Sequence, residues 1–483
     1  MALSAPERWP RSGQRNTRHR SGIVHNNQEN ATRPDATRRE PDTAQREPDT
    51  AQRGQKPHKP ARKRIMEAAD RPLRPGTLAG VITLLLVLAF LVGAVVGIGT
   101  IGTLRLSELL QRLLWDHLRD ALPNALLRQI SPVALGVVGG ALIGLSTQRF
   151  GYSLDTLGQV IAKAKATGTY RLPSVGKSLV LFLLPIAFGG AVGPEAGVCG
   201  VVTAGVYAGI HALRRSGLAA VRNPDHALSA AIRSLTGAQG QVAQGAERHP
   251  FTYAYSRPAS GVLWVVAAAG FVLGIMGFVT CFGTAGSLPR FTPIDYLRTS
   301  TRDWLWALAA LIIGYALAQF SLLCHAVSSM IATAIGEQRH VTRAVIAGGF
   351  LGLMAIGLPD VLFSGQTGTV ALLGSWQRST ALFLALTCLA KLAATAVCVA
   401  GGWIGGEFFP MIFCGVSAGY ALALATGCDP MIAVACTTAA LVSACTRKPV
   451  LTIVVLALCF PPTTLPLVAV CAVLAAKAPG LRR

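Results

Sequence analysis

The chain has 483 residues, of which 52% are hydrophobic and 14% charged, with a formal net charge of +22. Soluble domains carry about 25% charged residues, so this composition excludes an ordinary soluble fold and points to a polytopic membrane protein. Residues 1–76 hold 17 Lys/Arg against 9 Asp/Glu; the remaining basic excess lies in loops, which fits cytoplasmic loops facing anionic lipid and argues against a nucleic-acid partner.

Residues 1–76 are rich in Arg, Gln, Pro and Thr and contain a tandem duplication, Arg39 to Gln45 and Arg46 to Gln52. Such a segment cannot bury enough apolar surface to order itself, and a disordered basic cytoplasmic tail is expected, with Lys56 to Arg64 as a candidate contact to lipid. No apolar stretch follows Met1, so it does not read as a secretory signal. A transmembrane domain is expected over 77–483. Its apolar segments lie near 77–102, 132–148, 176–192, 195–213, 259–283, 303–335, 342–357, 379–400, 407–427, 431–460 and 465–478. A full span needs about 20 apolar residues. Several segments are shorter and others longer, which predicts an all-α membrane protein with broken and re-entrant helices. Residues 104–130 read as one amphipathic helix, with Leu106, Leu109, Leu110, Leu113 and Leu114 on one side, and 214–256 read as a polar loop. Basic flanks at Arg214-Arg215, Arg447-Lys448 and Arg482-Arg483 favour cytoplasmic termini.

Two apolar runs are interrupted by glycine-rich, acid-bearing breaks. The first is Gly189-Gly190-Ala191-Val192-Gly193-Pro194-Glu195-Ala196-Gly197; the second is Gly401-Gly402-Trp403-Ile404-Gly405-Gly406-Glu407-Phe408-Phe409-Pro410. An acid at membrane depth is costly and marks a functional site, and matching breaks in two halves mark a binding site between structural repeats. We expect repeats over about 77–285 and 300–480. A helix N-terminus carries unsatisfied N–H groups and about half a positive charge, which makes it an anion site. Two such ends meeting at mid-membrane would hold a small anion without a formal cation that grips it too tightly to release. Glu195 would compete with that anion for the site and swing out when protonated, so voltage and pH would both move the equilibrium.

Other signals are weaker. The 11 cysteines lie mostly in apolar runs and read as packing residues. Gly415-Val416-Ser417-Ala418-Gly419 fits a nucleophile pattern, but it sits in a small-residue helical run suited to close helix packing. His325 reads as a packing or interface residue. Lys391, inside an apolar run, would either snorkel to the surface or draw anions to a vestibule. No metal or cofactor is expected.

The two breaks resemble signatures of the CLC family of chloride channels and chloride/proton exchangers. The family's Gly-Arg-Glu-Gly-Pro stands here as Gly193-Pro194-Glu195-Ala196-Gly197, and its Gly-x-Phe-x-Pro as Gly406-Glu407-Phe408-Phe409-Pro410. Leu389 to Gly402, and Arg447-Lys448-Pro449 with its apolar run, are similar to the family's helices at those places. The resemblance implies an inverted-repeat, all-helical homodimer with one pore per subunit, Glu195 as the external gate, and backbone amides near Glu195–Gly197 and at Glu407–Phe408 lining the anion site. It implies chloride or a similar small anion as substrate, voltage gating as one mode, protons as a second transported species, and residence in the cell membrane.

There are departures from the family pattern. The family's serine-bearing segment is altered, with Tyr152 or Ser153 as the nearest substitutes. Its central tyrosine has no counterpart before Arg483. The exchangers' internal proton-relay glutamate falls at Ala267–Ala268. Glu407 replaces an apolar residue beside the ion, as a second gate or as a change that makes the site less friendly to anions. Rival readings are a transporter for another anion such as nitrate or fluoride, a proton-coupled antiporter, an intramembrane hydrolase using Ser417, and a non-conducting homologue.

Overall fold

The computed structural model describes residues 75–151, 154–155, 159–160, 162–163, 174–222, 224–236, 257–282, 289–294 and 301–480. Almost all of the expected tail, and the candidate pair Tyr152 and Ser153, lie outside them. Among the described residues the regular elements are helices, joined at one point by an isolated backbone bridge.

The first half contains α1 (Pro75–Gln111), α2 (Ala125–Phe150), α3 (Val175–Ala187), α4 (Glu195–Arg222), α5 (Ala227–Thr236) and α6 (Arg257–Phe282). The second contains α7 (Thr301–Ile335), α8 (His340–Gly357), α9 (Gln366–Ser375), α10 (Ala381–Ala400), α11 (Phe408–Thr426), α12 (Pro430–Thr446), α13 (Pro449–Leu456) and α14 (Leu465–Lys477). Among the described residues, eight helices are long and apolar enough to cross a membrane, by length and composition. Others, such as α3 and α14, are shorter apolar pieces, as the uneven segment lengths predict.

Three expectations need correction. Residues 104–130 are not one helix. α1 passes into a π-helical turn at Arg112–His117 and a short turn at Leu118–Asp120, and α2 starts afresh after Asn124, whose backbone is extended. Pro123 accounts for the stop, because it lacks an N–H and disfavours helix in the residue before it. The 214–256 segment is helical through much of its first half, where α4 continues to Arg222 and α5 follows. Its alanines and arginines are good helix formers. The apolar run 431–460 breaks at Arg447, which adopts a left-handed conformation (φ 55°) ahead of Lys448-Pro449. Pro449 then occupies the first turn of α13, where its missing N–H costs nothing, and the Arg447 Nη1 caps the end of α14 by donating to Ala476 O at 2.8 Å.

Burial sorts the helices into a centre and a shell. α11 is buried from Pro410 to Ala421 and α12 from Ile432 to Ala444, and a helix apolar on every side belongs in the core. Outer helices present large apolar side chains, such as Leu305, Met330, Leu382 and Val450. An apolar surface of this extent suits lipid, not water. α2 and α8 cross in backbone contact: a Cβ at Gly136 would overlap Gly348 O, and one at Gly352 would overlap Pro132 O. Small residues that let backbones touch are how membrane helices associate.

Candidate functional site

Each break is built as a sharp turn after a helix and pinned by buried donors. α3 ends at Ala187 with Phe188 as its C-cap; Gly189 takes φ 80° and Gly190 N–H turns back to Pro185 O at 2.7 Å. Carbonyls of this turn accept from elsewhere in the bundle: Ala187 O from the Trp115 indole (2.9 Å), Gly189 O from Phe363 N–H (2.9 Å) and Ala191 O from the Thr395 hydroxyl (2.9 Å). The second break follows the same plan. α10 ends at Ala400, Gly402 takes φ 89°, and Trp403 N–H donates to Cys398 O at 2.9 Å. The fully buried Trp403 indole donates to Ala344 O at 2.8 Å.

The two breaks then meet. Gly193 and Gly406 form a reciprocal antiparallel pair, with Gly193 N–H to Gly406 O and Gly406 N–H to Gly193 O both at 2.6 Å. Immediately beyond the bridge, α4 starts at Glu195 and α11 at Phe408, so two helix N-termini lie side by side. The Glu195 side chain crosses between them. Its Oε1 accepts from Phe409 N–H at 2.8 Å, and its Oε2 is buried without a hydrogen-bond partner. A carboxylate thus rests on the free amides of the facing helix, where a small anion is also stabilised. A Cβ on either Gly193 or Gly406 would overlap Glu195 Oε2, so glycine at both positions is what admits this carboxylate.

The remaining sequence candidates fall as follows. Pro194 stands just ahead of α4, Ala196 and Gly197 lie in its first turn, and a Cβ on Gly197 would overlap the Phe182 ring. Phe408 and Pro410 open α11. Glu407 is the residue ahead of α11, and its side chain caps no amide; its Oε2 lies 3.8 Å from His325 Nε2 on α7. Lys391 neither snorkels nor reaches a vestibule. It is fully buried, its Nζ donates to Asp360 O (2.7 Å), Val361 O (3.2 Å), Leu362 O (3.0 Å) and Phe363 O (3.1 Å), and it sits 4.9 Å from the Phe413 ring centroid. Ser417 is fully buried on α11 with its hydroxyl given to Leu384 O at 2.9 Å, as a packing residue would be. Ala267 and Ala268 border an apolar hollow with residues of α1 and α4.

Sequence reasoning missed His325 as a neighbour of Glu407, the pins Trp115, Thr395 and Trp403, and a polar hollow of about 530 Å³ behind the second break. That hollow is lined by Gln148, Gln338, His340 and Arg343 together with Gly401, Gly402 and Ile404. Only Trp403, an aromatic inside a glycine-rich motif, carries a signal visible in the sequence.

Two glycine-rich breaks joined backbone to backbone in a bundle of broken helices, each opening a helix N-terminus, define a membrane transport protein of the broken-helix kind. The family model described as "Voltage gated chloride channel" matches residues 224–479, and the chain belongs to that family: it is an integral membrane protein of the CLC class, whose members move anions. Among solved structures it is similar to a CLC-type fluoride/proton antiporter (19% identity, 82% of this chain and 94% of that one, TM-score 0.54). It is also similar to a slow cyanobacterial Cl-/H+ antiporter (16%, 84% and 95%, TM-score 0.55) and to a eukaryotic CLC transporter (16%, 83% and 72%, TM-score 0.50). At these identities the likeness is one of fold, and it agrees with the inverted-repeat CLC architecture expected from the motifs. No curated protein sequence matches the chain.

Proposed function

We propose that the chain passes chloride or a similar small anion between Gly193–Gly197 and Gly406–Pro410, gated by Glu195. The observation that carries this reading is the hydrogen bond from Phe409 N–H to Glu195 Oε1. The gating carboxylate takes the ligand's place on the α11 N-terminus, so the anion enters when the carboxylate leaves. Protonation removes the charge that holds it there, and a membrane potential acts on that same charge. The polar hollow lined by His340 and Arg343 places the Arg343 guanidinium close behind the second break.

A second reading, proton-coupled antiport, is favoured by Glu407, a second carboxylate beside the first. Two of the similar structures are described as proton antiporters, one for fluoride and one for chloride. The same proposal includes two repeats over about 77–285 and 300–480, each contributing one break, a homodimeric assembly, and cytoplasmic termini in the cell membrane, the last supported by the basic flanks.

The test is anion efflux from proteoliposomes recorded together with proton movement, for the wild type and Glu195→Gln. Efflux without uphill proton movement makes the protein a channel. Uphill proton movement that disappears in Glu195→Gln makes it an antiporter. A folded wild type with no flux of chloride, fluoride or nitrate overturns the proposal in favour of a non-conducting role.

A further inference from the structure

We infer that His325 is the counter-charge that keeps the site open to anions: its protonated imidazole offsets Glu407, and anion uptake depends on that pair being neutral overall. The inference rests on the reading of Gly193–Gly197 and Gly406–Pro410 as the anion site.

Glu407 poses an electrostatic problem. It stands directly before α11, at the end whose amides would hold the anion, yet it makes no capping bond with them. Its carboxylate is close enough to Glu195 to repel it. Two carboxylates at one site disfavour any third negative charge, and poor solvation strengthens that repulsion. The side chain is held toward α7, where His325 Nε2 lies 3.8 Å from Oε2, and both side chains are largely buried, at 14% and 15% exposed.

Among the described residues, the other charged and titratable groups of the elements packed around the pair are these. From α4 come Glu195 itself and Cys199, which lies within its electrostatic reach. From α10, Lys391 is shared among four carbonyls. From α8, Arg343 holds Ala400 O and, with Cys324 of α7, borders a mostly apolar hollow. From α12, Cys445 turns its thiol to Ala318 O on α7. Of these groups, the imidazole is the one that lies within ion-pair distance of the Glu407 carboxylate, at 3.8 Å.

An imidazole changes charge near neutral pH, about 6.5 when unperturbed. With the proton on, the His325–Glu407 pair is neutral and the α11 amides attract an anion. With it off, the pair carries a net negative charge and the site repels one. By reciprocity, a bound anion favours the protonated pair, so the pair takes up a proton as the anion arrives. His325 is accordingly a positioning residue acting through Glu407. It also makes anion flux fall as pH rises, independently of Glu195.

The experiment uses the full chain in proteoliposomes, with chloride and then fluoride efflux recorded at about pH 5.5 and about pH 8, on either side of the imidazole range. His325→Gln should lower efflux about tenfold or more at the acidic pH, since a charge this close to the ion is no longer offset. Adding Glu407→Gln to it should bring efflux back to within about threefold of wild type, because the unpaired charge is then gone. His325→Lys should keep efflux and, in a Glu195→Gln background, flatten the pH dependence that remains between those two values. A His325→Gln variant that conducts with the wild-type pH profile overturns the inference. So does a double variant no better than His325→Gln, because a role limited to tethering α7 to α11 would not be rescued by removing the second partner. A folded wild type that moves neither anion overturns the transport reading itself, whereas wild-type flux with an indifferent His325→Gln overturns this inference alone.

Discussion

At the scale of single residues, Glu195 and the two glycines beside it act as one device. Neither Gly193 nor Gly406 has a positive φ, so alanine can adopt either backbone. At Gly193 an added methyl would strike the Glu195 carboxylate, the far end of a flexible side chain and therefore the part that gives way; at Gly406 it would also crowd Glu195 Cβ, which is fixed to α4. Gly193→Ala is expected to expel the carboxylate while leaving the fold in place. Its anion efflux should resemble that of Glu195→Gln and lose most of its dependence on Glu195 protonation. Efflux at the wild-type rate with an unchanged pH profile would contradict this. Glu195 and its glycines were legible in the sequence, because an acid within an apolar run has few structural excuses. The direct pairing of Gly193 with Gly406 was not, since a backbone-to-backbone bond between distant segments leaves no trace in residue type.

At the scale of elements, Lys391 shows how the first break is supported from outside. Its ammonium satisfies four carbonyls of the 360–363 turn. That turn holds Phe363 at φ 59°, a conformation unfavourable for a bulky residue. Phe363 in turn donates its N–H to Gly189 O and packs edge-on against Trp115 with ring centroids 5.2 Å apart. The chain of support therefore runs from α10 through the turn to the first glycine of the break. Lys391→Met keeps much of the volume but orphans those carbonyls, and a cost of about 2–4 kcal/mol is expected. The check is thermal unfolding in detergent, with hydrogen exchange at Phe363 accelerated before that of α11 and α12. Unchanged stability would mean that water replaces the ammonium. The sequence left Lys391 between the surface and a vestibule because a lone basic residue in an apolar run reveals its depth only once its acceptors are known. Helix ends were read worst where a proline was passed over, as at Pro123 and at Pro449 inside the run 431–460.

At the scale of the whole molecule, the core lies in the second half. α11 and α12 are enclosed on all sides, while α6 and the outer faces of α1 and α7 carry exposed apolar side chains. Of the two helices that start at the breaks, α11 is thus set in the most enclosed part of the bundle, and α4 carries Glu195, the proposed gate. The broken-helix class was legible from uneven segment lengths and paired breaks. The way the halves interlock, with α2 of the first lying in backbone contact against α8 of the second, was not, because glycine-rich faces in apolar helices do not name their partners.

The Gly193–Gly406 pair has a consequence for motion. A clasp of two peptide groups between the breaks opposes rocking of one half against the other, so under the proposed function one glutamate side chain is the moving part. Rotamer changes run on picosecond-to-nanosecond timescales when unhindered, whereas collective helix displacements take microseconds to milliseconds. Spin labels placed on α4 and α11 should accordingly report the same separation with and without anion, at acidic and at neutral pH. A separation that shifts by several ångströms between those states would show the clasp opening during transport.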